Sequence, residues 1–524
     1  MPTLPRPMVL FLAIGGSQLA AAASHSLSAV QSHFSLRASA SRQGSLSIWP
    51  KPRNVVQQGG QAATVAPQLS FEGDISGTLV TAAINRYKPL LFPHRGAVGG
   101  DIKKVSVRVS GAGGEGYTLD INPSAVTIDA GAEVGVQYAL ETLSQLVYYD
   151  FDRSEYLTQA VLPLKLDDEP SYPHRGLLID SSRHFLPLAS IRNLIRSMSF
   201  AKLNRLHWHL TDAQSFPLGS RVEPSLAAKG AWSPQERYSR DDVADVVNLA
   251  AEHGITVIPE FDMPGHMKAW GFARPDILAQ TYDRFNDGNS AAFNPTKEQS
   301  YQLVESALRD WLVGNGKEPA YFSGSLVHLG TDEMPFSAWQ SVAQRPPRAI
   351  FRDFVKRMVT YSEKLGKQPI LWEEGFKDGG NVPQQAIIQV WLDKNVAPQA
   401  VDAGHKILIS EGWYLDHLDT SWQAMYQRDP AASLSQNQRL SLLGGEGCMW
   451  GETVDGGDLE QTIWPRLGAV AERLWSSVEG RGDVDEAQPR LVAFRCMLLE
   501  RGVAAGTLGG KGRSSPTGPG SCNQ

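Results

Sequence analysis

The sequence lacks the features that mark a membrane protein or a nucleic-acid-binding protein. Beyond the N-terminus no apolar run approaches the length of a bilayer-spanning helix, so we expect a soluble mature chain with no membrane span. Long runs of one charge are also missing. The net charge of −6 is spread along the chain, so neither nucleic acid nor an anionic membrane is expected as a partner. No Asn-x-Ser/Thr triplet has a permitted middle residue, so a prediction of export depends on the N-terminus alone.

Cysteine is scarce, with three in the chain, and three thiols in an exported protein leave one unpaired. Cys448 lies in the apolar stretch Gly447-Cys448-Met449-Trp450, which is typical of a buried free thiol. Cys496 and Cys522 flank a tail rich in glycine, serine and proline, which has little else to hold it in place. We therefore predict a disulfide between Cys496 and Cys522.

The N-terminal residues have the pattern of a cleaved secretory signal. Arg6 precedes an apolar segment at 8–14 and four alanines at 20–23, which predicts a signal peptide over residues 1–23. Residues 24–45 are rich in serine and alanine and are predicted to form a disordered linker. The protein is then expected in the secretory pathway, with an extracellular or a lysosome- or vacuole-like destination.

The remaining chain is long enough for two domains. Between residues 46 and 168, short alternating runs at 105–109 and 125–128 indicate strands, and 134–148 has helical spacing. This pattern predicts a small α+β domain. It contains no cluster of titratable residues, so we interpret it as structural.

After Asp167-Asp168-Glu169-Pro170 the pattern changes, and apolar strand-like runs alternate with amphipathic helical segments. The predicted strands are 176–180, 203–210, 255–261, 326–329, 369–372, 386–392, 406–409 and 442–450. The predicted helices between or after them include 241–253, 297–313, 349–365 and 462–477. Eight strands that alternate with helices predict a (β/α)8 barrel, a TIM barrel, over residues 169–524 with a C-terminal tail.

Polar and aromatic residues collect just after the predicted barrel strands. In this type of barrel, chemistry takes place at the C-terminal ends of the strands. A full ring of acids and aromatic residues there is hard to explain as solvated surface, and flat apolar faces beside hydrogen-bonding acids suit sugar rings. The ring consists, in chain order, of Arg183, Asp212, Asp262, His266, Asp332, Glu333, Trp372, Glu373, Trp391, Tyr414, Asp416, Trp450 and Glu452.

The most informative part of this ring is the adjacent pair Asp332-Glu333, at the end of a buried strand. Side chains alternate along a regular strand, so neighbouring acids serve one pocket only where the strand ends and the backbone turns away. Two carboxyl groups held so close do not both ionise easily, and one tends to stay protonated. A protonated acid beside an ionised one is what cleavage of a glycosidic bond requires. An isolated Asp-Glu pair would instead be interpreted as a helix cap.

The barrel resembles that of the family 20 glycoside hydrolases, the β-N-acetylhexosaminidases. The likeness extends over essentially the whole chain, including an N-terminal α+β domain. Together with the Asp332-Glu333 pair, the motifs that carry it are Arg175-Gly176-Leu177-Leu178-Ile179-Asp180-Ser181-Ser182-Arg183-His184-Phe185, Leu206-His207-Trp208-His209-Leu210-Thr211-Asp212, Glu260-Phe261-Asp262-Met263-Pro264-Gly265-His266, Trp413-Tyr414-Leu415-Asp416 and Gly445-Glu446-Gly447-Cys448-Met449-Trp450-Gly451-Glu452.

In that family the enzyme supplies no nucleophile, because the 2-acetamido oxygen of the substrate attacks the anomeric carbon and forms an oxazolinium ion. By resemblance, Glu333 protonates the leaving oxygen and later deprotonates the water. Asp332 binds the acetamide N–H and offsets the positive charge. The resemblance therefore implies an exo-acting enzyme that removes terminal non-reducing β-linked N-acetylglucosamine or N-acetylgalactosamine with retention, and that needs no metal and no cofactor.

The resemblance also assigns the contacts to the sugar. Tyr414 would hold the acetamide oxygen, and Trp372, Trp391 and Trp450 would form the walls around the acetyl group and the sugar face.

Three further residues would bind the hydroxyl groups of the sugar. Arg183 and Glu452 would bind the outer hydroxyls, and Asp416 would lie near the 6-hydroxyl.

A supporting relay is implied as well, in which His266 lies between Asp212 and Glu333 and tunes the pKa of the acid. The sequence departs from the family in two places. Thr331 occupies a position where glycine is usual, and Ala213 follows Asp212 where many members have a second acid. These departures concern fine positioning and leave the reaction unchanged.

Two other functions are compatible with parts of the sequence. His207-Trp208-His209 with His266 could indicate a metal-dependent amidohydrolase, and an inactive barrel could serve as a carbohydrate-binding protein. The physiological substrate is open between chitin oligomers, glycoprotein N-glycans and glycolipids. Relatives often form homodimers, so a homodimer is considered beside a monomer.

Overall fold

The computed structural model describes residues 46–280, 291–340, 342–476, 482–508 and 522. The predicted signal peptide at 1–23 and the predicted linker at 24–45 lie outside the described residues and stay predictions. Within those residues, no helix combines the length and apolar character needed to cross a membrane. The described residues from Ser47 onward belong to one compact unit.

An α+β layer structure comes first along the chain, as predicted. Its six-stranded mixed sheet has the order β1-β8-β4-β5-β3-β2, and β6 and β7 form a separate hairpin. Helices α1 (Thr78–Leu91) and α2 (Glu133–Leu146) pack against each other, and α2 covers β3, β4 and β5. The strands are β1 (Asn54–Gln57), β2 (Val65–Gly73), β3 (Ile102–Val109), β4 (Tyr117–Asn122), β5 (Ala125–Ala130), β6 (Val147–Asp150), β7 (Glu155–Thr158) and β8 (Leu164–Asp168).

The helix predicted at 134–148 is shorter than expected. It ends at Leu146, and the next residues, Val147-Tyr148-Tyr149, begin β6. A β-branched residue followed by two tyrosines fits a pleated, half-buried surface better than the last turn of a helix, which is the physical reason for the difference.

Eight parallel strands then close into a barrel, which confirms the predicted fold class. Each predicted strand coincides with an observed one to within two residues at either end. All seven residues of the first barrel strand are buried, as expected for a strand covered on both sides. The barrel strands are β9 (His174–Asp180), β10 (Arg205–Thr211), β11 (Thr256–Met263), β12 (Leu326–Gly330), β13 (Gln368–Trp372), β14 (Ile387–Val390), β15 (Ile407–Ile409) and β16 (Leu442–Met449).

The helices that connect the strands surround the barrel. They are α3 (Leu188–Phe200), α4 (Ser225–Gly230), α5 (Arg240–Glu252), α6 (Lys268–Ala273), α7 (Glu298–Leu312), α8 (Ser337–Gln340), α9 (Pro347–Lys364), α10 (Glu373–Lys377), α11 (Val396–Asp402), α12 (Trp422–Tyr426), α13 (Leu459–Ile463), α14 (Arg466–Trp475) and α15 (Val484–Glu500), with short 3-10 helices at Pro275–Ile277 and Gln438–Ser441.

The single helix predicted at 462–477 is wrong in one respect, because two helices share this segment. α13 ends at Ile463, and α14 begins after Pro465. Proline has no backbone N–H to donate and its ring clashes with the preceding turn, so a continuous helix through Pro465 is disfavoured.

The cysteines are arranged as predicted. Cys496, on α15, forms a disulfide with Cys522, with a Cα–Cα distance of 5.3 Å. Cys448 is buried and is not part of a disulfide.

Buried cations join the α+β layer structure to the barrel. The Nζ atom of Lys202 lies 2.9 Å from Oδ2 of Asp168 and donates to the hydroxyl groups of Tyr117 and Thr142 at 2.9 and 3.0 Å. The side chain is completely buried, and its ammonium group lies 4.4 Å from the centre of the Trp475 ring. Because Asp168 ends β8 and Lys202 follows α3, this ion pair fixes one part of the fold against the other.

We expect Lys202→Met to destabilise the protein, because it leaves Asp168 buried without its cation. Removal of one partner of a buried ion pair costs about 3–5 kcal/mol of unfolding free energy, so the midpoint of urea unfolding followed by circular dichroism should fall. Lys103→Met removes the same charge from an exposed position of β3 and should stay within about 0.5 kcal/mol of the wild type. Equal midpoints for the two variants would contradict this role of Lys202.

Candidate active site

The Asp332-Glu333 pair directly follows β12, at the C-terminal mouth of the barrel. The backbone leaves the strand through left-handed conformations, with φ of +68° at Gly330, +82° at Thr331 and +44° at Glu333. At Gly330 a Cβ atom would lie 1.7 Å from Oδ1 of Asp262, so only glycine fits. This turn interrupts the alternation of the strand and brings both acids to one site.

Thr331, the position that departs from the family pattern, is strained. A β-branched residue rarely adopts a positive φ, and such a conformation costs on the order of 1–3 kcal/mol. The hydroxyl group of Thr331 donates to the carbonyl of Gly330, which offsets part of this cost. The strain therefore lies one residue before the acidic pair.

The two acids have different environments. The side chain of Asp332 is 9% exposed, whereas that of Glu333 is 58% exposed. Burial raises the pKa of Asp332, and a hydrogen bond with His266 lowers the pKa of Glu333. In the free protein, burial therefore opposes ionisation of Asp332. Glu333, which the resemblance makes the acid, favours the ionised form until something covers it.

His266 lies between Asp212 and the acidic pair, as the relay hypothesis expects. Its Nδ1 atom is 2.9 Å from Oδ1 of Asp212, and its Nε2 atom is 3.5 Å from Oε2 of Glu333 and 3.9 Å from Oδ2 of Asp332. Burial opposes a charged imidazole, but the carboxylate of Asp212, which forms a hydrogen bond with the ring, outweighs it and raises the pKa of His266 well above its usual range. A positive imidazolium therefore faces Glu333.

Arg183 links this relay to the rim of the site. Its guanidinium group lies 2.9 Å from Asp212 and 3.0 Å from Asp180, and 3.8 Å from Oε1 of Glu452. It also lies over the ring of Trp450, 5.0 Å from the centroid. Asp180 and Asp212 hold the guanidinium group in place, while the side chain of Glu452 is 54% exposed and accessible to a ligand.

Four aromatic side chains pack together close to Asp332, and we call this group the aromatic pocket: Trp372, Trp391, Tyr414 and Trp450. The ring of Trp372 lies 6.3 Å from that of Trp391 and 6.0 Å from that of Trp450, and Trp391 and Tyr414 stack at 5.8 Å. Trp391 is half-buried, and the other three rings are buried. Burial raises the pKa of the Tyr414 phenol, so its O–H is available as a donor.

Asp416 follows two residues after Tyr414 and is largely buried. Its Oδ1 atom has no hydrogen-bond partner among the described residues, and burial raises the pKa of the carboxyl group to about 6. His417 lies 3.9 Å from the other oxygen and is 62% exposed. Asp416 therefore has one oxygen atom left for a ligand hydroxyl.

A layer of buried charged residues beneath the pair was not predicted as part of the site. Glu260 lies 2.6 Å from His209, 3.0 Å from His207 and 3.0 Å from His328, and it accepts the indole N–H of Trp372 at 2.8 Å. The sequence contained a signal for this layer. His207 and His209 lie two residues apart on β10 and face the same side, and the next strand, β11, carries Glu260. The two histidines were interpreted as possible metal ligands, and Glu260 was not connected with them.

The histidines that suggested a metal site are bound to carboxylates. The Nδ1 atom of His207 is 2.9 Å from Glu446, and the Nε2 atom of His209 is 2.8 Å from Asp212. His207 also stacks on His328, with 4.6 Å between centroids and 29° between planes, and one nitrogen of each ring lies 3.0 Å from the carboxylate of Glu260. The arrangement is that of an ion-pair network. The compact sets of side chains around Glu260 and Asp262 belong to this network.

Comparison with protein families gives matches over both parts of the fold. Residues 172–478 match the family model described as glycosyl hydrolase family 20, catalytic domain, and residues 45–159 match glycosyl hydrolase family 20, domain 2. Beta-hexosaminidase 1 of Arabidopsis thaliana is 34% identical, over 91% of this chain and 94% of the relative. The human beta-hexosaminidase subunit beta is 36% identical, over 75% of this chain and 72% of the relative.

Solved structures have the same architecture. The Flavobacterium johnsoniae chitobiase is 26% identical with a TM-score of 0.77, over 87% of this chain and 73% of that one. A variant of the Streptomyces plicatus beta-hexosaminidase, in complex with its product N-acetylglucosamine, is 25% identical with a TM-score of 0.74, over 88% of this chain and 96% of that one. These matches replace the amidohydrolase hypothesis. The chain belongs to glycosyl hydrolase family 20 and is a glycoside hydrolase of the β-N-acetylhexosaminidase type.

Proposed function

We propose that the protein is an exo-acting β-N-acetylhexosaminidase that removes terminal non-reducing β-linked N-acetylglucosamine or N-acetylgalactosamine by substrate-assisted, retaining hydrolysis. The observation that carries the proposal is the contrast between the two adjacent acids. Asp332 is buried, and its charge acts on Tyr414 of the aromatic pocket, whereas the side chain of Glu333 is exposed. This contrast supports a role for Asp332 on a group inside the pocket and a role for Glu333 on the bond outside it.

The acetamide group of the substrate is proposed to occupy the aromatic pocket. Trp372, Trp391 and Trp450 offer apolar faces to the methyl group, and the hydroxyl group of Tyr414 donates to the carbonyl oxygen. Asp332 accepts the amide N–H. These contacts direct the acetamide oxygen at the anomeric carbon, and that oxygen forms the new bond as the glycosidic bond breaks. The ring closes to an oxazolinium ion, whose positive charge Asp332 offsets in a site with little water.

Asp332 must be ionised for this role although burial raises its pKa. A hydrogen bond with Asp262 lowers the pKa of Asp332 and so opposes the effect of burial. The pKa of Asp262 itself is raised well above its usual range, by burial first and then by the charge of Asp332. We infer that the two buried carboxyl groups share one proton and that this proton supports the negative charge on Asp332.

Glu333 is proposed to protonate the leaving oxygen and then to take a proton from the water that opens the oxazolinium ion. Contact with His266 lowers its pKa in the free protein, but a bound sugar displaces water from its exposed carboxyl group. Loss of water disfavours the ionised form and raises the pKa, so substrate binding itself promotes protonation of Glu333. When the proton leaves, the imidazolium of His266 stabilises the carboxylate.

The remaining hydroxyl groups are proposed to bind at the rim. The guanidinium group of Arg183 donates to the outer hydroxyls and Glu452 accepts from them, 3.8 Å away. Asp416, with a buried oxygen that lacks a partner among the described residues, accepts the 6-hydroxyl.

Substitution of Glu333 by Gln should remove proton donation while it keeps the shape of the side chain. We expect kcat/KM for chitobiose to fall by roughly 10²–10⁴, the usual size of general acid catalysis. A dinitrophenyl glycoside needs no protonation to leave and should lose far less. Glu252→Gln makes the same chemical change at an exposed position at the end of α5, and both substrates should react as with the wild type. Equal losses for the two leaving groups in Glu333→Gln would contradict the assignment.

The stereochemical course tests the mechanism itself. Two displacements at the anomeric carbon preserve its configuration, so proton NMR at early times should show the β anomer of the released sugar. Asp332→Asn should slow turnover, because the oxazolinium charge then has no carboxylate beside it, and it should also weaken inhibition by a thiazoline mimic of the intermediate. Early appearance of the α anomer would overturn the proposed mechanism.

Asp416 should make the enzyme discriminate against sugars that carry a sulfate on the 6-hydroxyl. Two negative charges about 5 Å apart repel by roughly 3 kcal/mol at an effective dielectric constant near 20, about a hundredfold in kcat/KM. The pKa of Asp416 is raised to about 6, so the repulsion is present above pH 6 and is lost as the pH falls through this value. The ratio of kcat/KM for neutral and 6-sulfated substrates should therefore decrease in acid.

Asp416→Asn serves as the matched variant for this prediction, because it keeps the size and one oxygen acceptor. The ratio of kcat/KM for neutral and 6-sulfated substrates should be lower in Asp416→Asn than in the wild type at neutral pH, and it should depend little on pH around 6. A wild-type enzyme that hydrolyses both substrates equally at neutral pH would refute the placement of Asp416.

A further inference from the structure

Two successive glutamates begin helix α10 directly after β13, and neither is used by the reaction described above. The carboxylate of Glu373 is completely buried. Its Oε2 atom accepts three successive backbone N–H groups, from Trp391 at 3.0 Å, Leu392 at 3.0 Å and Asp393 at 3.2 Å. A single carboxylate oxygen thus fixes the main chain of the loop that follows β14.

The second glutamate holds the side chain of the same loop. The Oε2 atom of Glu374 accepts the indole N–H of Trp391 at 3.1 Å. Trp391 is therefore bound at two points, by Glu373 through its main chain and by Glu374 through its ring. Two hydrogen bonds, one to the main chain and one to the ring, together restrain the position of Trp391.

Trp391 is the member of the aromatic pocket that packing holds least. Trp372, Tyr414 and Trp450 are each at most 9% exposed, whereas Trp391 is only half-buried. The next residue, Leu392, is 57% exposed and contributes no buried anchor. The ring of Trp391 is therefore held by its contacts with Trp372 and Tyr414 on one hand and by the hydrogen bond with Glu374 on the other.

The glutamates are also close to the reacting groups. Burial raises the pKa of Glu374 to about 7, and the negative charge of Asp332 adds to this effect. Lys377 lies 3.3 Å from the second oxygen of Glu373 and balances part of the negative charge. A change at Glu374 therefore acts directly beside the pocket that Asp332 borders.

We propose that Glu373 and Glu374 are positioning residues that fix Trp391 and so set the depth of the aromatic pocket, which makes the enzyme select an N-acetyl group over longer N-acyl groups. This inference depends on the proposed function in one respect, namely that the acetamide of the substrate occupies this pocket. The glutamates do not touch the substrate, and their effect passes through the ring of Trp391.

The test compares 4-nitrophenyl β-glycosides of N-acetyl-, N-propionyl- and N-butyryl-glucosamine. One methylene group in an apolar pocket is worth roughly 10- to 200-fold in kcat/KM, so the wild type should discriminate strongly between N-acetyl and N-butyryl. Glu374→Ala should lower the ratio of kcat/KM for these two substrates at least about tenfold, because the ring can then move outward. Glu374→Gln keeps an oxygen acceptor for the indole N–H and should restore most of the ratio.

A purely structural role predicts a different result. If Glu374 only supported the fold, Glu374→Ala would slow all three substrates by the same factor and leave the ratio unchanged, which would overturn the proposal. Trp391→Phe removes the N–H donor and keeps an aromatic wall, so it should lower the ratio as Glu374→Ala does. Glu374→Ala and Trp391→Phe break the same hydrogen bond. In the double variant, Glu374→Ala should therefore change the ratio of kcat/KM little beyond the effect of Trp391→Phe alone.

Trp391→Ala separates failure of this inference from failure of the proposed function. If Trp391→Ala abolishes the preference for N-acetyl but Glu374→Ala and Trp391→Phe do not lower it, the pocket is assigned correctly and the glutamates do not position its wall. If Trp391→Ala itself leaves the preference intact, the acetamide lies elsewhere, and both proposals are wrong. Should Glu374→Ala fail to fold, as judged by circular dichroism, Trp391→Phe breaks the same hydrogen bond from the other side.

Discussion

The active site depends on one buried carboxylate at the centre of the barrel, that of Glu260. Aliphatic side chains usually fill such a core, but here an acid lies within 3.0 Å of three imidazoles, those of His207, His209 and His328. A buried charge is tolerated only where partners surround it, so these residues fix one another. Glu260 also binds the indole of Trp372, and through His209 it contacts Asp212. The wall of the pocket and the relay behind the acid are therefore parts of one network.

The two adjacent acids, Asp332 and Glu333, differ in their surroundings. Asp332 lies toward the buried side, where burial and other acids favour the protonated form, and Glu333 lies toward solvent beside a positive imidazole. The different burial of Asp332 and Glu333 does not come from a large distance between the two residues, because they are adjacent in the chain. It comes from a turn with positive φ at Gly330, Thr331 and Glu333, which directs one side chain inward and the other outward.

The sequence was sufficient to predict the barrel, because each strand is a local apolar run bounded by polar residues. The proposed site residues also follow from sequence, since parallel strands bring their C-terminal ends to one mouth. The role of Glu260 does not follow in this way, because its partners are on other strands and their pairing is not local. The split at Pro465 was overlooked although proline marks it directly. The pKa of Glu333 is lowered by a hydrogen bond with His266, and this contact between two different loops depends on the whole fold.

Glu374 illustrates the same limit. Its position after a strand was visible, but its partner Trp391 is seventeen residues away in sequence and adjacent only in the folded protein. Residues that contact the substrate belong to motifs, whereas residues that hold those contacts in place are recognised only from the fold.

The ion pair of Lys202 with Asp168 has a consequence for evolution and engineering. A barrel separated from its first domain would expose an ammonium group that is otherwise completely enclosed, and with it the guanidinium group of Arg175, which Glu115 of that domain binds at 2.7 Å. The two parts are therefore not interchangeable modules. A chimera that combined this barrel with a first domain from another protein would need an acid at the positions of Asp168 and Glu115. A lineage that exchanged the first domain freely would have to change both of these acids together with Lys202 and Arg175.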